Sequence, residues 1–275
     1  MHSYHIIDSH VHSGVQNVSW AWENLRPLLR AAGIRGAGVI PPVEDIYDRY
    51  DPGFTDSPAW QACRRRAHQY LLDLKHSRRR GPAGPSPNSE GTARGAPTEP
   101  EIDIYPYFFV WNDFAWEDLT PDYAAIKWHR HPDEPEYHYH NPRCREFLAV
   151  VRQQGLPILL EESLQNTLFF LEELAGDIPV IIPHLGGLSG GYASLLRAGV
   201  WDSPQVYADS ALAWPREIED FLGRYGPERL LFGSDYPFSQ PRTELAKILK
   251  LNLLEAQAQA ILGDNFRHLC GLQGV

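Results

Sequence analysis

The segment Ile6-Ile7-Asp8-Ser9-His10-Val11-His12 joins a short apolar run to two histidines one residue apart. On an extended strand, residues i and i+2 point to the same side, so His10 and His12 can reach one ion together. More groups of this kind stand where later apolar runs end. They are Lys127 and His129, Glu161 and Glu162, His184 in Pro183-His184-Leu185-Gly186-Gly187, Asp209, and Asp235 in Gly233-Ser234-Asp235-Tyr236-Pro237. Imidazoles with carboxylates are a ligand set for Zn, Mn, Fe or Ni rather than for calcium. Taken singly, each has an ordinary explanation: such a histidine commonly just hydrogen-bonds, and such an aspartate commonly caps a helix. The joint pattern of a same-face pair followed by a histidine and an aspartate is what points to a metal centre.

These residues must be positioned by a repeating scaffold. Strands are predicted at Tyr4–Asp8, Gly36–Ile40, Asp103–Val110, Ala124–His129, Leu156–Leu160, Pro179–Pro183, Gln205–Ala208 and Arg229–Gly233. Helices are predicted at Trp20–Ala32, Pro58–His76, Asn141–Gln154, Gln165–Ala175, Ser189–Ala198, Pro215–Tyr225, Pro241–Leu251 and Leu254–Cys270. Gly155 is the expected stop of the helix before it. Eight strands alternating with helices over 275 residues imply a parallel sheet, most simply a closed (β/α)8 TIM barrel forming one domain over residues 1–275. A doubly wound open sheet would more often carry a glycine-rich loop after its first strand, where this chain has His10 and His12. Ser77–Pro100 breaks the pattern with Arg78-Arg79-Arg80, several prolines and glycines and almost no large apolar residue. It reads as a flexible insertion within the domain, since the alternation resumes after it.

Composition narrows the function classes. The chain is 43% hydrophobic and 22% charged, with a formal net charge of −10. That balance argues against a general nucleic-acid or anionic-membrane surface, and no stretch reaches the ~20 apolar residues of a membrane span. Cys63, Cys144 and Cys270 are far apart and odd in number, with neither zinc-ribbon spacing nor a disulfide framework. A cytoplasmic location with a small-molecule substrate is expected, and a homo-oligomer is compatible with the sequence.

Three motifs together resemble a known family. Asp8-Ser9-His10-Val11-His12, Pro183-His184-Leu185-Gly186-Gly187 and Leu231-Phe232-Gly233-Ser234-Asp235-Tyr236-Pro237 are similar to the strand-one, strand-six and strand-eight segments of the amidohydrolase superfamily. The likeness is to its amidohydrolase-related branch, which includes aminocarboxymuconate-semialdehyde decarboxylase and pyrone-dicarboxylate lactonase, and it runs from Ile6 to Leu272 outside the insertion. The resemblance implies one or two divalent ions per chain, Zn2+ first, with Mn2+ or Fe2+ as alternatives. It implies the ligands His10, His12, Glu161, His184 and Asp235, with Asp235 and Lys127 as catalytic groups. The chain departs from the branch at strand five. Pro157-Ile158-Leu159-Leu160-Glu161 ends in a glutamate where the branch usually has a histidine. Glu161 can take that place, Glu162 can take it instead, or neither binds metal; adjacent strand residues face opposite ways, so at most one should enter the site. Lys127 matches an Ile-Lys-x-His segment. It is read as a cation for a substrate carboxylate, as a partner of Glu161, or as a carbamylated metal bridge.

The resemblance implies a metal-dependent hydrolase acting on an amide, ester or lactone-like bond, with Asp235 shuttling the proton. Non-oxidative decarboxylation of a small aromatic or unsaturated acid is the alternative, with Lys127, Arg130 and Arg242 as candidate carboxylate partners. A non-catalytic degenerate barrel is the third reading. The His129-Arg130-His131 and His138-Tyr139-His140 runs read as a substrate-shaping or solvated loop. Asp209 reads as a supporting or structural residue. Trp20, Trp22, Trp111 and Trp128 read as pocket walls or as packing under loops.

Overall fold

The structure is a computed structural model, and it describes residues 4–14, 21–79 and 101–272. Eight strands form one sheet in sequence order, with every adjacent pair parallel. They are β1 (Ile6–His12), β2 (Ile34–Ile40), β3 (Asp103–Phe109), β4 (Ala125–His129), β5 (Ile158–Glu161), β6 (Val180–Ile182), β7 (Val206–Asp209) and β8 (Leu230–Leu231). The first and last strands meet. Ser9 donates its N–H to the Phe232 carbonyl at 2.8 Å, Asp235 to that of His10 at 2.7 Å and His12 to that of Tyr236 at 2.8 Å. The expected (β/α)8 TIM barrel is therefore what forms.

The helices are α1 (Trp22–Ala31), α2 (Pro58–Arg79), α3 (Pro142–Gln154), α4 (Leu164–Phe169), α5 (Tyr192–Arg197), α6 (Pro215–Tyr225), α7 (Pro241–Leu249), α8 (Glu255–Gln259) and α9 (Asn265–Leu269). Helix α3 shows why the sequence signals work. Asn141 accepts from the Arg143 N–H at 3.0 Å, Pro142 opens the first turn, and Gly155 ends the helix at φ 66°. Trp111 and Trp128 are fully buried in an aromatic layer: Trp111 stacks on Tyr47 at 3.9 Å between centroids, and Trp128 on Tyr139 at 5.9 Å. Trp111 and Trp128 pack in this layer, Trp22 is buried at the start of α1, and none of the three lines the cavity at the barrel end.

Several boundaries shift. Strand β1 runs on to His12, so the histidine pair sits on the strand itself rather than beyond its end. Helix α2 continues to Arg79, so the first residues of the expected insertion are helical. The rest of that segment, residues 80–100, lies outside the described residues, as does Trp20. The helix expected at Ser189–Ala198 begins only at Tyr192, because the preceding Gly190 and Gly191 take φ near 89°.

Candidate metal centre

Strands β1, β4, β5 and β7 and the turns after β6 and β8 deliver side chains to the C-terminal end of the barrel, where such folds place their active sites. On β1, His10 is fully buried and His12 nearly so. His10 Nδ1 lies 2.8 Å from Asp209 Oδ2 at the end of β7. The Asp209 carboxylate is held below the usual range. Burial opposes this, but the facing His10 and the backbone N–H of His184 outweigh burial. An ionised carboxylate only accepts, so His10 Nδ1 carries the proton and Nε2 presents its lone pair to the barrel axis.

His184 reaches the same space by a different device. After β6 the chain makes a left-handed turn, with φ of 58° at His184, 48° at Leu185 and 82° at Gly186. Non-glycine residues pay for that conformation. Here it is fixed by the Asp209 Oδ1, which accepts the His184 N–H at 3.0 Å, and by His184 Nδ1, which donates to the Ala211 carbonyl at 3.0 Å. A carbonyl cannot donate, so Nδ1 of His184 carries a proton; burial opposes charging the ring, but Glu161, Asp209 and Asp235 raise its pKa, and Nε2 is a free lone pair only in the neutral ring. Asp209 thus anchors two imidazoles at once.

Asp235, at φ 53° on the turn after β8, faces both. Its Oδ1 lies 3.2 Å from His12 Nε2 and 3.4 Å from His10 Nε2, and its Oδ2 lies 3.8 Å from His184 Nε2. Burial alone would raise its pKa, but His10 and His12 hold it down to about 2. Donors bonded to one ion at ~2.1 Å around a tetrahedron stand ~3.4 Å apart. The measured separations fit that spacing, and the donor set is borderline in character, so these residues suit a divalent transition metal.

Strand β4 contributes Lys127, fully buried, and β5 contributes Glu161. Lys127 Nζ lies 2.7 Å from Glu161 Oε2 and 3.5 Å from His10 Nε2. The other oxygen of Glu161 lies 3.0 Å from His131 Nε2 and 3.4 Å from His129 Nε2. Burial would raise the Glu161 carboxyl, but Lys127 and then His129 hold it well below the usual range. Glu162 points the other way, as alternation requires. Its carboxylate accepts from the Tyr139 hydroxyl at 2.6 Å, the Ser163 N–H at 2.9 Å and the Asn166 amide at 3.1 Å.

The second histidine cluster is a structural network. His129, His131 and Glu134 bring donor atoms together. The Glu134 oxygens, however, are already taken by the Tyr47 hydroxyl at 2.6 Å, Arg49 Nε at 2.8 Å and the His131 N–H at 2.9 Å. His138 and His140 are exposed on the loop beyond.

A cavity of about 140 Å3 opens onto the donors. His12, Glu161 and Asp235 reach it, Arg49, His129 and His131 give it a polar face, and Val43, Leu188, Leu212 and Phe238 give it an apolar one. Arg49 was not anticipated from sequence, since a lone arginine after β2 has no distinguishing spacing. Of the expected carboxylate partners, Arg130 is buried against Glu162 and the Pro132 and Glu134 carbonyls. Arg242 lines a groove of about 800 Å3 beside α1 and α7 that contains no member of the donor cluster. Neither serves this cavity.

The amidohydrolase family model matches residues 121–271, more than half of the chain. The chain belongs to the amidohydrolase family. The matched stretch carries Lys127, Glu161, His184 and Asp235, and barrel closure brings His10 and His12 to them. No curated protein matches this amidohydrolase in sequence. Solved structures are similar to it in fold. A 2,6-dihydroxybenzoate decarboxylase from Rhizobium has 15% identity and a TM-score of 0.66 over 100% of both chains. A protein from Pseudomonas putida assigned as a 2-pyrone-4,6-dicarboxylic acid hydrolase has 16% identity and a TM-score of 0.64, again over 100% of both. A 5-carboxyvanillate decarboxylase from Novosphingobium aromaticivorans, with bound manganese, has 10% identity and a TM-score of 0.66, covering 90% of this chain and 80% of that one.

Proposed function

We propose that this amidohydrolase is a metal-dependent hydrolase of a small carboxylate-bearing molecule. The observation that carries the reading is the Asp235 carboxylate, enclosed by the Nε2 atoms of His10, His12 and His184 at 3.2–3.8 Å. Those four residues would hold the ion, with Glu161 adjacent. The ion would be Zn2+ or Mn2+. The manganese of the decarboxylase relative favours the latter. A divalent ion at this point supplies the Lewis acidity that makes water nucleophilic near neutral pH.

The chain's own groups do the rest. The Asp235 carboxylate would be kept ionised by a divalent ion beside it, as by any nearby positive charge. One of its oxygens can accept the proton of the attacking water and return it to the leaving group. Asp209 and the Ala211 carbonyl hold the Nδ1 protons of His10 and His184, so both rings are oriented with Nε2 toward the ion's position. Arg49, His129 and His131 would form the polar side of the substrate cavity, and Val43, Leu188, Leu212 and Phe238 its apolar side.

A second reading has its own support. Two of the three relatives described are decarboxylases, and a polar wall that could seat a carboxylate serves either chemistry. Manganese-loaded protein offered 2-pyrone-4,6-dicarboxylate and 2,6-dihydroxybenzoate separates them. Ring opening without gas release supports hydrolysis, and release of CO2 without uptake of water assigns the site to decarboxylation.

A further inference from the structure

Three large apolar side chains stand exposed where the cavity opens: Leu188 at 46%, Leu212 at 43% and Phe238 at 57%. Exposed apolar residues scattered singly need no explanation, but three that converge on one cavity do. We infer that they form a subsite for a hydrocarbon substituent of the substrate, which runs outward from the reacting group over the rim of the barrel. The inference deepens the metal-dependent reading proposed above and rests on it.

Two observations carry it beyond exposure. Leu212 has φ 56°, a left-handed backbone that glycine or asparagine adopts at less cost. A leucine there is unfavourable twice, in its backbone and in its exposed side chain, and such strain concentrates at ligand sites. The second observation is a buried brace beneath the wall. Glu244 on α7 accepts the Leu212 N–H at 3.0 Å through Oε2 and the hydroxyl of Ser239, next to Phe238, at 2.8 Å through Oε1. Lys247, three residues along α7, pairs with Glu244 and donates to the Ala213 carbonyl at 2.9 Å. One ion pair thus ties the loops after β7 and β8 together, so Leu212 and Phe238 are set in place before a ligand arrives. The Phe238 ring meets His12 edge-on with 6.0 Å between centroids, so the wall begins beside a proposed ligand of the ion. The cavity holds about 140 Å3, below the roughly 300–1,000 Å3 of ordinary ligand pockets. It admits a reacting group and little more. The side opposite carries Arg49, His129 and His131, so a hydrocarbon extension has its match along Leu188, Leu212 and Phe238.

The test uses Mn2+-loaded protein and three hydroxamic acids with the same metal-binding head and a growing tail: acetohydroxamate, butanohydroxamate and hexanohydroxamate. In calorimetric titrations wild-type affinity should rise about 2–4-fold per added methylene, as apolar surface leaves water. In Leu212→Asn and in Phe238→Ser, acetohydroxamate should bind as in wild type while the gain per methylene disappears. Leu212→Asn should also melt no lower than wild type, because asparagine accepts the left-handed backbone; a clearly lower melting temperature makes Leu212 a packing residue and removes it from the subsite. The two variants lie on different loops, so misfolding of one leaves the other decisive. Mn2+-loaded wild type that binds none of the acids or shows a flat series, or a gain undiminished in either folded variant, overturns the subsite and leaves the metal reading standing. A wild type that binds no Mn2+ overturns both.

Discussion

Asp209 shows how much of the centre is decided by one residue that does not face the cavity. It fixes the tautomer of His10 through Nδ1 and the backbone of His184 through its N–H. Removing such a support typically lowers metal affinity 10–100-fold. Asp209→Asn should therefore weaken Mn2+ binding by about that factor in a chelator competition, with the fold intact by circular dichroism. An unchanged affinity would show that the contact is idle. Asp235→Asn should lower turnover by about 10²–10⁴-fold, because the amide cannot accept the proton. Near-full turnover in that variant would remove Asp235 from the chemistry. The proposed ligands were readable in the sequence because strand alternation puts His10 and His12 on one side whatever the rest of the chain does. The direction of Glu161 against Glu162 was posed by the same rule, yet only pairing with Lys127 and Tyr139 answers it. Arg49 was invisible, since its approach to the cavity depends on a loop path that local pattern does not encode.

At the scale of elements, the short strands carry the site and the turns after them aim it. The turn after β6 is the clearest case. Gly186 adopts φ 82°, and a Cβ there would lie 2.1 Å from the Leu195 side chain. Gly186→Ala should combine a steric clash with an unfavourable backbone, costing about 1–3 kcal/mol or more. Calorimetry should show a lower melting temperature, and metal affinity should fall with it because His184 sits on the same turn. A variant with unchanged melting and affinity would contradict that link. Most strands were legible because their apolar runs are bounded by proline, glycine or charge. Strand β8 was overextended by sequence: it pairs over only Leu230–Leu231, and its continuation hydrogen-bonds to β1 as irregular backbone. The composition break at residues 77–100 begins before α2 ends at Arg79.

For the molecule as a whole, stability depends on polar groups buried neutral. His68 is buried and accepts the Phe109 N–H through Nε2 at 3.0 Å, so its ring must stay uncharged there. Burial, aided by Arg64, pushes its pKa down to about 3 from an ordinary 6.5. The unfolded chain then binds more protons between those values, so stability is full above pH ~6.5 and is lost as pH falls toward 3. The effect is on the order of 5 kcal/mol at its limit. His68→Gln should flatten the acid side of the stability curve in urea titrations across that window, and an unchanged slope would contradict the assignment. Among the described residues no helix is long and apolar enough to cross a membrane.

Every functional role proposed for this centre depends on an ion held by His10, His12, His184 and Asp235. The direct measurement is metal content, by mass spectrometry, of chelated and then Mn2+-reconstituted protein. Wild type should recover about one ion per chain. A folded His10→Ala/His12→Ala variant should recover almost none. A folded double variant that retains the wild-type metal content would contradict the site.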